Sequence, residues 1–296
     1  MKARNLMCPI DAEVLVLDSR QLRCSNGHSF DLARQGYVNL LPVQHKRSKH
    51  PGDSKEMVAA RQHFLDTGVY APVADLLSDI LRASITGIDQ PACLDAGCGE
   101  GYYLDYALAA LQAKNTASDL CCVGLDISKE AIVAAAKRNK NISWVVGTNR
   151  QPPLLPASID IILCVFGFHS FQGFNKILPV GGKLVLVEPG PDHLQELRQV
   201  TYSEIKKTEL PRLDDAFALG FKQVGEQALR FNTPALSNEV LHDLLLMTPH
   251  FFRATQAGRD AAAKLSDVSL TVDMVFRSLE KVTDCVTEVG QPPSVE

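Results

Sequence analysis

The amino-acid sequence predicts an α/β fold built on a parallel sheet. Short apolar runs of strand length alternate with longer segments rich in Ala and Leu, as expected when each strand is followed by a crossover helix. The candidate strands are residues 92–95, 121–126, 142–146, 159–165 and 183–188. The first strand runs into a glycine-rich turn, which is typical of a loop that approaches a ligand closely. A chain of 296 residues has room for one such domain and a smaller module.

Two helices are predicted ahead of the first strand of this sheet. Asp53 and Glu56 fit the N-cap and N3 positions of the first helix, and Gly68 fits its end. Pro72 suits the start of the second helix, whose apolar residues repeat at helical spacing. Near the C-terminus, residues 268–276 largely alternate apolar and polar side chains, which predicts a strand at the edge of the sheet.

The composition is that of a packed globular protein. Hydrophobic residues make up 46% of the chain and charged residues 22%, which excludes wholesale disorder and a fibrous architecture. We find no apolar run of membrane-spanning length and no signal-peptide segment at the start. We therefore expect a cytoplasmic protein without a membrane partner, whose eight cysteines are reduced thiols.

Basic residues are concentrated near the N-terminus. The net charge of −4 argues against a chain coated in nucleic acid, but residues 1–50 carry eight basic and four acidic side chains. The densest basic run contains Lys46, Arg47 and Lys49, in a stretch that lacks apolar periodicity and ends in a Pro-Gly turn signal. These three side chains are candidates for contacts with phosphate groups. The alternative is a solvated loop without a partner.

The most informative stretch of the sequence is ACLDAGCGEGYYL. A short strand ends at Asp95 and continues into Gly97, Gly99 and Gly101, which permit a tight turn. In a dinucleotide-binding site the third glycine would stand at the position of Tyr102, and a bulky ring there disfavours the close packing of helix on strand. The spacing instead resembles motif I of class I (Rossmann-like) S-adenosylmethionine-dependent methyltransferases, whose loop holds the aminoacid end of the cofactor.

Further landmarks of the class I methyltransferase fold follow in the expected order. Asp126 ends the second strand, where an acid accepts hydrogen bonds from both ribose hydroxyls, or alternatively caps the next helix. Thr148 or Asn149 follows the third strand, where class I folds contact the adenine. Residues 166–169 follow the fourth strand at the substrate-facing edge. Cys164 lies within that apolar strand, which favours a buried thiol over the nucleophile of a covalent mechanism.

Several long runs of the sequence resemble the RlmA family of 23S rRNA (guanine-N1)-methyltransferases. They are SNGHSFDLARQGYVNLLPVQHKRSKHPGDSKEMVAAR, FLDTGVYAP, DAGCGEGYY, EPGPDHLQEL and LLLMTP, and they span nearly the whole chain. The resemblance implies a small N-terminal zinc-ribbon-like module joined to a class I domain. It also implies that Tyr70, Gly99, Glu100 and His193 contact S-adenosylmethionine. Without the resemblance, Tyr70 would be interpreted as a packing aromatic and His193 as an exposed first-turn residue.

The family's zinc module uses a Cys-x2-Cys pair followed by a Cys and a His. This sequence offers Cys8, Cys24 and His28, but Asp11 stands where the second cysteine belongs. A carboxylate can complete a tetrahedral zinc site, although it is a harder donor than a thiolate. Without the resemblance, a pair of buried thiols would be the simpler interpretation. A second departure is VFGFHSF, where the family carries an aromatic-Ala-Pro run, so we expect a different pocket shape.

We predict three regions and one reaction. Residues 1–45 form a zinc-finger-like RNA-binding module, residues 46–90 a linker and the N-terminal helices, and residues 91–290 the methyltransferase domain. The expected reaction is methyl transfer to N1 of a guanine in a 23S rRNA hairpin loop, with a homodimer left open. A small-molecule methyltransferase is disfavoured by the basic run, and a non-catalytic RNA-binding protein by the intact glycine loop. The guanine N1 proton needs an acceptor, which the sequence does not name.

Overall fold

The computed structural model describes residues 2–42, 44, 51–114, 119–202, 209–248 and 255–283. A small sheet contains β1 (Val16–Asp18), β2 (Gln21–Arg23) and β3 (Ser29–Asp31). The main sheet contains β4 (Val38–Asn39), β5 (Ala92–Ala96), β6 (Cys121–Asp126), β7 (Ser143–Val146), β8 (Ile161–Val165), β9 (Lys183–Pro189), β10 (Phe221–Asn232) and β11 (Thr271–Lys281). The helices are α1 (Lys55–Asp66), α2 (Ala71–Ile85), α3 (Tyr102–Ala113), α4 (Lys129–Arg138), α5 (Phe171–Ile177), α6 (Gln195–Thr201), α7 (Asp214–Ala218), α8 (Asn238–Leu246) and α9 (Gln256–Ala262).

The main sheet confirms the predicted α/β architecture. Its strands are ordered β10-β11-β9-β8-β5-β6-β7-β4, and β5 to β9 are all parallel to their neighbours in this group. All five strands predicted from the sequence are present, with ends that shift by two residues at most. The strand order reverses at β5, so the crevice at the carboxyl ends of β5, β6 and β8 is the place where open α/β sheets bind ligands.

The C-terminal strand differs from its prediction. β11 covers part of the predicted segment, but it lies between β10 and β9, antiparallel to both, and is not at the edge of the sheet. The alternation of apolar and polar residues predicts that one face of this strand is exposed to solvent. Asp273 and Arg277 lie on that face but are buried, because other side chains and loops cover it. The edge is formed by β10, which sequence patterning did not identify because most of its residues are exposed.

The first helix also begins one residue later than predicted. Ser54, rather than Asp53, is the N-cap of α1, and its hydroxyl accepts a hydrogen bond from the Met57 amide at 3.3 Å. Asp53 instead forms an ion pair with Arg61 on the same helix. Ser and Asp are nearly equivalent as N-caps, so adjacent candidates cannot be ranked from composition. The helix C-terminus agrees with the prediction, since Gly68 follows the C-cap with a φ of 78°.

The N-terminal residues contact the main sheet directly. β4 extends that sheet by pairing in parallel with β7. Leu6 forms a bridge with Leu154, and Leu22 and Val38 belong to the same apolar core as the interior face of β5 and β6. The small module, which is too short to bury a core of its own, therefore shares one with the larger domain. Across the described ranges, no helix has the length and apolar character needed to span a membrane.

Candidate functional site

The glycine-rich loop after β5 is held by backbone contacts with β6. The amides of Gly97 and Cys98 donate to the carbonyl of Leu125 at 2.8 and 3.1 Å. Gly97 and Gly99 have φ values of 87° and 55°, in the left-handed region that favours glycine. A Cβ on Gly97 would lie 3.5 Å from the Cα of Gly167, so a side chain there would narrow the crevice between β5 and β8. The loop is shaped to keep this crevice open.

Asp126 joins the glycine loop to the next helix. One carboxylate oxygen accepts the Gly99 amide at 2.9 Å, and the other accepts the Ser128 amide at 2.8 Å. The N-cap of α4 is Ser128, whose hydroxyl accepts the Ala131 amide, so Asp126 is not itself the cap. Burial raises the pKa of Asp126, and the two amide hydrogen bonds oppose that shift. Each carboxylate oxygen has lone pairs left for a further donor such as a ribose hydroxyl.

A cavity of about 380 Å³ lies at the carboxyl ends of the central strands. It brings together residues at the carboxyl ends of β5, β6, β7 and β8, namely Gly97, Asp126, Thr148, Asn149 and Gly167. These include the predicted ribose acceptor and both candidate adenine contacts. Asp53 and Arg61 also line it, although neither was a predicted site residue. Arg61 comes from α1 and Asp53 from the segment just before that helix, and only the tertiary fold brings them to the cavity.

Three buried polar atoms around the glycine loop have no hydrogen-bond partner in the described part of the chain. They are Asp95 Oδ1, Glu100 Oε1 and the Tyr103 hydroxyl. Burial raises the pKa of Asp95 to about 8, and the charges of Asp126 and Glu100 add to that shift. Buried polar groups are costly without a partner, but none of these three residues lines the 380 Å³ cavity. An acceptor that a ligand in the cavity can reach is Asp126, whose carboxylate has lone pairs left for ribose hydroxyls such as those of S-adenosylmethionine. The residues present therefore fit this cofactor.

Two predicted cofactor contacts, Tyr70 and His193, meet each other away from this cavity's lining. The Tyr70 hydroxyl lies 3.4 Å from His193 Nε2, and both residues are buried. The Tyr70 ring packs edge-on against Phe64 at 5.0 Å between centroids. His193 Nδ1 is 3.4 Å from the Asp273 amide. Tyr70 therefore packs in the core, as expected from the sequence without the resemblance. His193 is buried, whereas the sequence without the resemblance predicts an exposed residue.

Glu100, Gly101 and Tyr102 lie on the side of the loop that faces α4. Glu100 is buried, with Arg138 at 3.6 Å, and its second oxygen accepts the Tyr102 amide at 3.1 Å. The guanidinium of Arg138 also lies 5.8 Å from the centre of the Tyr102 ring. A Cβ on Gly101 would come within 2.6 Å of the Trp144 ring. These contacts fix the loop against its neighbours and lie outside the lining of the 380 Å³ cavity.

The four predicted metal ligands converge in the N-terminal module. One donor atom from each of Cys8, Asp11, Cys24 and His28 lies within 4.8 Å of the other three. His28 Nδ1 is 2.9 Å from Asp11 Oδ2 and 3.4 Å from Cys24 Sγ. Zinc bonds of about 2.0 to 2.3 Å in a tetrahedron require donor separations of about this size. Two turns present the ligands, and Gly27 closes the second turn with a φ of 88°.

The chemistry of this donor set fits zinc. Two sulfur atoms, an imidazole nitrogen and a carboxylate oxygen are all accepted zinc ligands. Burial and the neighbouring Asp11 carboxylate raise the pKa of the Cys8 thiol to about 11. A bound cation would reverse this by favouring the thiolate, so metal binding must release a proton. The predicted cluster of Cys8, Asp11, Cys24 and His28 can hold a zinc ion that supplies the structural link between the two turns.

A larger cavity of about 740 Å³ adjoins the first and shares Thr148, Arg150 and Phe168 with it. Phe168 is 57% exposed, and the guanidinium of Arg150 lies 4.8 Å from the centre of its ring. His169 and Phe171 also line this cavity. An exposed aromatic ring beside a basic side chain suits the planar face of a nucleobase. Sequence reasoning located this segment at the substrate-facing edge but did not identify Arg150.

Two other predictions have different outcomes. The predicted RNA contacts Lys46, Arg47 and Lys49 lie outside the described residues. Cys164 is fully buried in β8, and burial raises the pKa of its thiol. The interpretation of Cys164 as a small apolar residue is therefore confirmed.

Comparisons with known proteins agree with both parts of this structure. Residues 6–49 match the family model described as the N-terminal part of RlmA, a zinc ribbon, and residues 93–179 match a methyltransferase-domain family. The crystal structure of the YcgJ protein from Bacillus subtilis aligns with a TM-score of 0.45 and 16% identity, covering 69% of this chain and 97% of that one.

Two curated relatives align over most of the chain. YxjB of Bacillus subtilis (strain 168), whose name includes 23S rRNA (guanine-N1)-methyltransferase, is 28% identical over 90% of this chain and 94% of its own. A 23S rRNA (guanine(748)-N(1))-methyltransferase of Streptomyces fradiae is 35% identical over 83% of this chain and 85% of its own. Because this relative is 35% identical over 83% of the chain, and residues 6–49 match the N-terminal RlmA model, the chain belongs to the RlmA-type family of 23S rRNA (guanine-N1)-methyltransferases.

Proposed function

We propose that this protein transfers a methyl group from S-adenosylmethionine to N1 of a guanine in a hairpin loop of 23S rRNA. The observation that carries the proposal is the direct junction between the two cavities, which share Thr148, Arg150 and Phe168. One cavity has the polar groups that suit a nucleoside cofactor, and the other has an aromatic and basic lining that suits a base. The names of the curated relatives supply the target atom and the RNA.

The residues of the smaller cavity bind and orient the cofactor. When bound, S-adenosylmethionine supplies an electrophilic methyl group on a sulfonium. Asp126 accepts ribose hydroxyls, while Thr148 and Asn149 lie at the adenine end. Gly97 and Gly99 keep the backbone close to the aminoacid end, and we also assign Asp95, which is buried at the end of β5, to the cofactor site. We extend the cofactor site to Tyr70, Glu100, Gly101, Tyr102 and His193, which hold the loop and its surroundings in place.

The larger cavity receives the guanine. A loop base must leave its stack to reach the methyl group, and an aromatic ring can replace part of the lost stacking. Phe168 offers such a ring, with Arg150 held against it at 4.8 Å. Methyl transfer is an in-line displacement, so most of the rate comes from holding N1 aligned and from excluding water. The position of Phe168 between the two cavities serves both needs.

The N-terminal module and the linker bind the RNA around the target base. We assign this role to residues 1–45, with zinc held by Cys8, Asp11, Cys24 and His28, and divide the rest at residues 46–90 and 91–290. Lys46, Arg47 and Lys49 supply the phosphate contacts, so neutralising them should flatten the salt dependence of RNA binding. The reaction takes place in the cytoplasm, where the substrate is. The homodimer stays a prediction, which light scattering on the purified protein checks.

The test is direct chemical identification of the product. Purified protein, S-adenosylmethionine and an unmodified 23S rRNA transcript are incubated, and the RNA is digested to nucleosides for mass spectrometry. We expect about one 1-methylguanosine per transcript. The same reaction with a small-molecule methyl acceptor should give no product. A methyl group on guanine N2 or N7, on ribose, or on another base would refute the proposal.

A further inference from the structure

A buried ionic cluster lies against the larger cavity, and neither the sequence nor the family resemblance assigns it a role. Glu188, at the end of β9, is 2% exposed and accepts a hydrogen bond from Arg277 Nε at 2.6 Å. A second guanidinium nitrogen pairs with the same carboxylate oxygen. The other oxygen, Oε1, lies 3.7 Å from His169 Nε2 and has no hydrogen-bond partner within the described residues. Arg277 therefore fixes a carboxylate that faces a histidine ring.

His169 is held at the cavity wall by its neighbours. Its side chain is 14% exposed and lines the larger cavity. The preceding carbonyl, that of Phe168, accepts the Asn149 side-chain amide at 3.1 Å. The helix that follows His169, α5, packs closely on the backbone of Asn149, since a Cβ on Gly173 would collide with the Asn149 carbonyl. The Phe171 ring lies 5.8 Å from the imidazole between centroids. These contacts hold the backbone before His169 and place one aromatic ring beside the imidazole.

The proposed reaction requires a proton acceptor at this wall. Guanine N1 carries a proton at neutral pH and must lose it before or during methyl transfer. Among the described residues that line the larger cavity, two side chains are ordinary general bases, His169 and Asp215. Asp215 is exposed on the short helix α7. His169 is half-buried, adjoins the shared residue Phe168, and has a carboxylate behind it. These features make His169 the better placed of the two.

We propose that His169 accepts the N1 proton of the target guanine during methyl transfer, and that Glu188 orients the imidazole. This inference rests on the function proposed above. With the Nε2 proton directed at Glu188, the Nδ1 lone pair is the acceptor. An electron pair on N1 forms the bond to the methyl carbon, and the pair of the carbon–sulfur bond returns to sulfur. The N1–H electrons stay on the ring as His169 takes the proton, which then passes to solvent.

The electrostatics of the cluster agree with this role. Burial, and then the charge of Arg277, lower the pKa of His169 to about 4, so its imidazole is neutral and able to accept a proton at neutral pH. The charged groups around the ring are Glu188 on β9, Arg277 on β11, and Arg150 and Asp215 at the same cavity. A weakly basic imidazole is sufficient, because N1 becomes strongly acidic as it bonds to the methyl group.

The test compares His169→Ala with His242→Ala, which removes an exposed histidine on α8. Single-turnover methylation of the 23S rRNA transcript is measured, with calorimetry for S-adenosylhomocysteine and filter binding for the RNA. We expect His169→Ala to lower the rate by about 10²- to 10⁴-fold, the usual contribution of general base catalysis, with both affinities within a few-fold of wild type. His242→Ala should match wild type. Added imidazole should restore part of the rate to His169→Ala.

The pH dependence separates proton transfer from a structural role. As pH rises, guanine N1 loses its proton to solvent, so the ratio of the wild-type rate to the His169→Ala rate should fall. A rate of His169→Ala equal to wild type overturns the inference, as does a constant deficit at every pH without rescue by imidazole. The same loss in Asp215→Asn, with His169→Ala unaffected, would assign the acceptor to Asp215 instead. If wild type itself makes no 1-methylguanosine, the proposed function fails.

Discussion

The metal cluster of the N-terminal module is built from four side chains on two turns, whereas the cofactor cavity is shaped mainly by backbone at the ends of four strands. In the first site, donors such as Cys8 and His28 lie in contact beside a small, largely exposed sheet. In the second, amide hydrogen bonds and glycines position the loop against a large core. A site made of side chains depends on its ion for stability, and a site made of backbone is present before its ligand arrives.

The largest effect is expected from breaking the metal cluster. Structural zinc sites contribute on the order of 10 kcal/mol to folding in small zinc modules, so Cys24→Ser should remove the metal and loosen residues around β1 to β3. Elemental analysis of protein purified without chelator should find one zinc in wild type and none in the variant. Cys121→Ser, which changes a cysteine outside the cluster, serves as the control.

The replacement of a cysteine by Asp11 sharpens the same test. Asp11→Cys restores a softer donor and should bind zinc more tightly than wild type in a competition with chelator. If wild type holds no zinc while Asp11→Cys acquires one equivalent, the site in this protein no longer binds metal. That outcome would contradict the assignment of zinc to the wild-type module.

At the cofactor cavity, the corresponding test is Asp126→Ala. The change removes the proposed acceptor for the ribose hydroxyls and also frees the amides of Gly99 and Ser128. We expect binding of S-adenosylhomocysteine to weaken by about 1.5 to 3 kcal/mol, measured by calorimetry. Zinc content should not change, because the two sites are held independently. Unchanged affinity would mean that Asp126 only braces the loop.

A smaller effect distinguishes the two sides of the glycine loop. Gly101→Ala places a Cβ against the Trp144 ring at a φ of 85°, so it should lower the free energy of unfolding by about 2 kcal/mol. Gly97→Ala is also strained, by a φ of 87°, but its Cβ meets no atom closer than 3.5 Å and faces the crevice, so it should weaken cofactor binding more than Gly101→Ala does. Thermal unfolding and calorimetry on both variants check this. Equal losses of affinity would contradict the division of roles.

Local patterns in the sequence predicted much of this fold. The five parallel strands are continuous apolar runs between turn signals, since both of their faces are buried. The glycine spacing and Asp126 also predicted where the cavity lies. Strand ends and tight turns depend on residues that are neighbours in the sequence, so a local pattern can identify them. β10 escaped prediction because most of its residues are exposed, and β11 was placed at an edge because its buried polar residues resemble a solvent-facing set.

The parts of the site that depend on distant segments were not predictable. Arg61 reaches the cavity from α1, and Arg150, which follows β7, packs on the ring of Phe168, which follows β8. His169, Glu188 and Arg277 come from three separate elements and meet only through the strand order. No spacing rule connects them, because their proximity is a property of the sheet. The four candidate metal ligands could be predicted despite their separation in sequence, because the family resemblance implied them.

The most direct test of the account is primer extension along 23S rRNA from a strain that lacks this gene. A methyl group on guanine N1 blocks Watson–Crick pairing, so reverse transcriptase stops beside it. We predict one strong stop in a hairpin loop of wild-type RNA, its loss on deletion, and its return with the wild-type gene but in much reduced amount with Asp126→Ala. Identical stops in the deletion and wild-type strains would contradict the assignment of this protein to 23S rRNA guanine-N1 methylation.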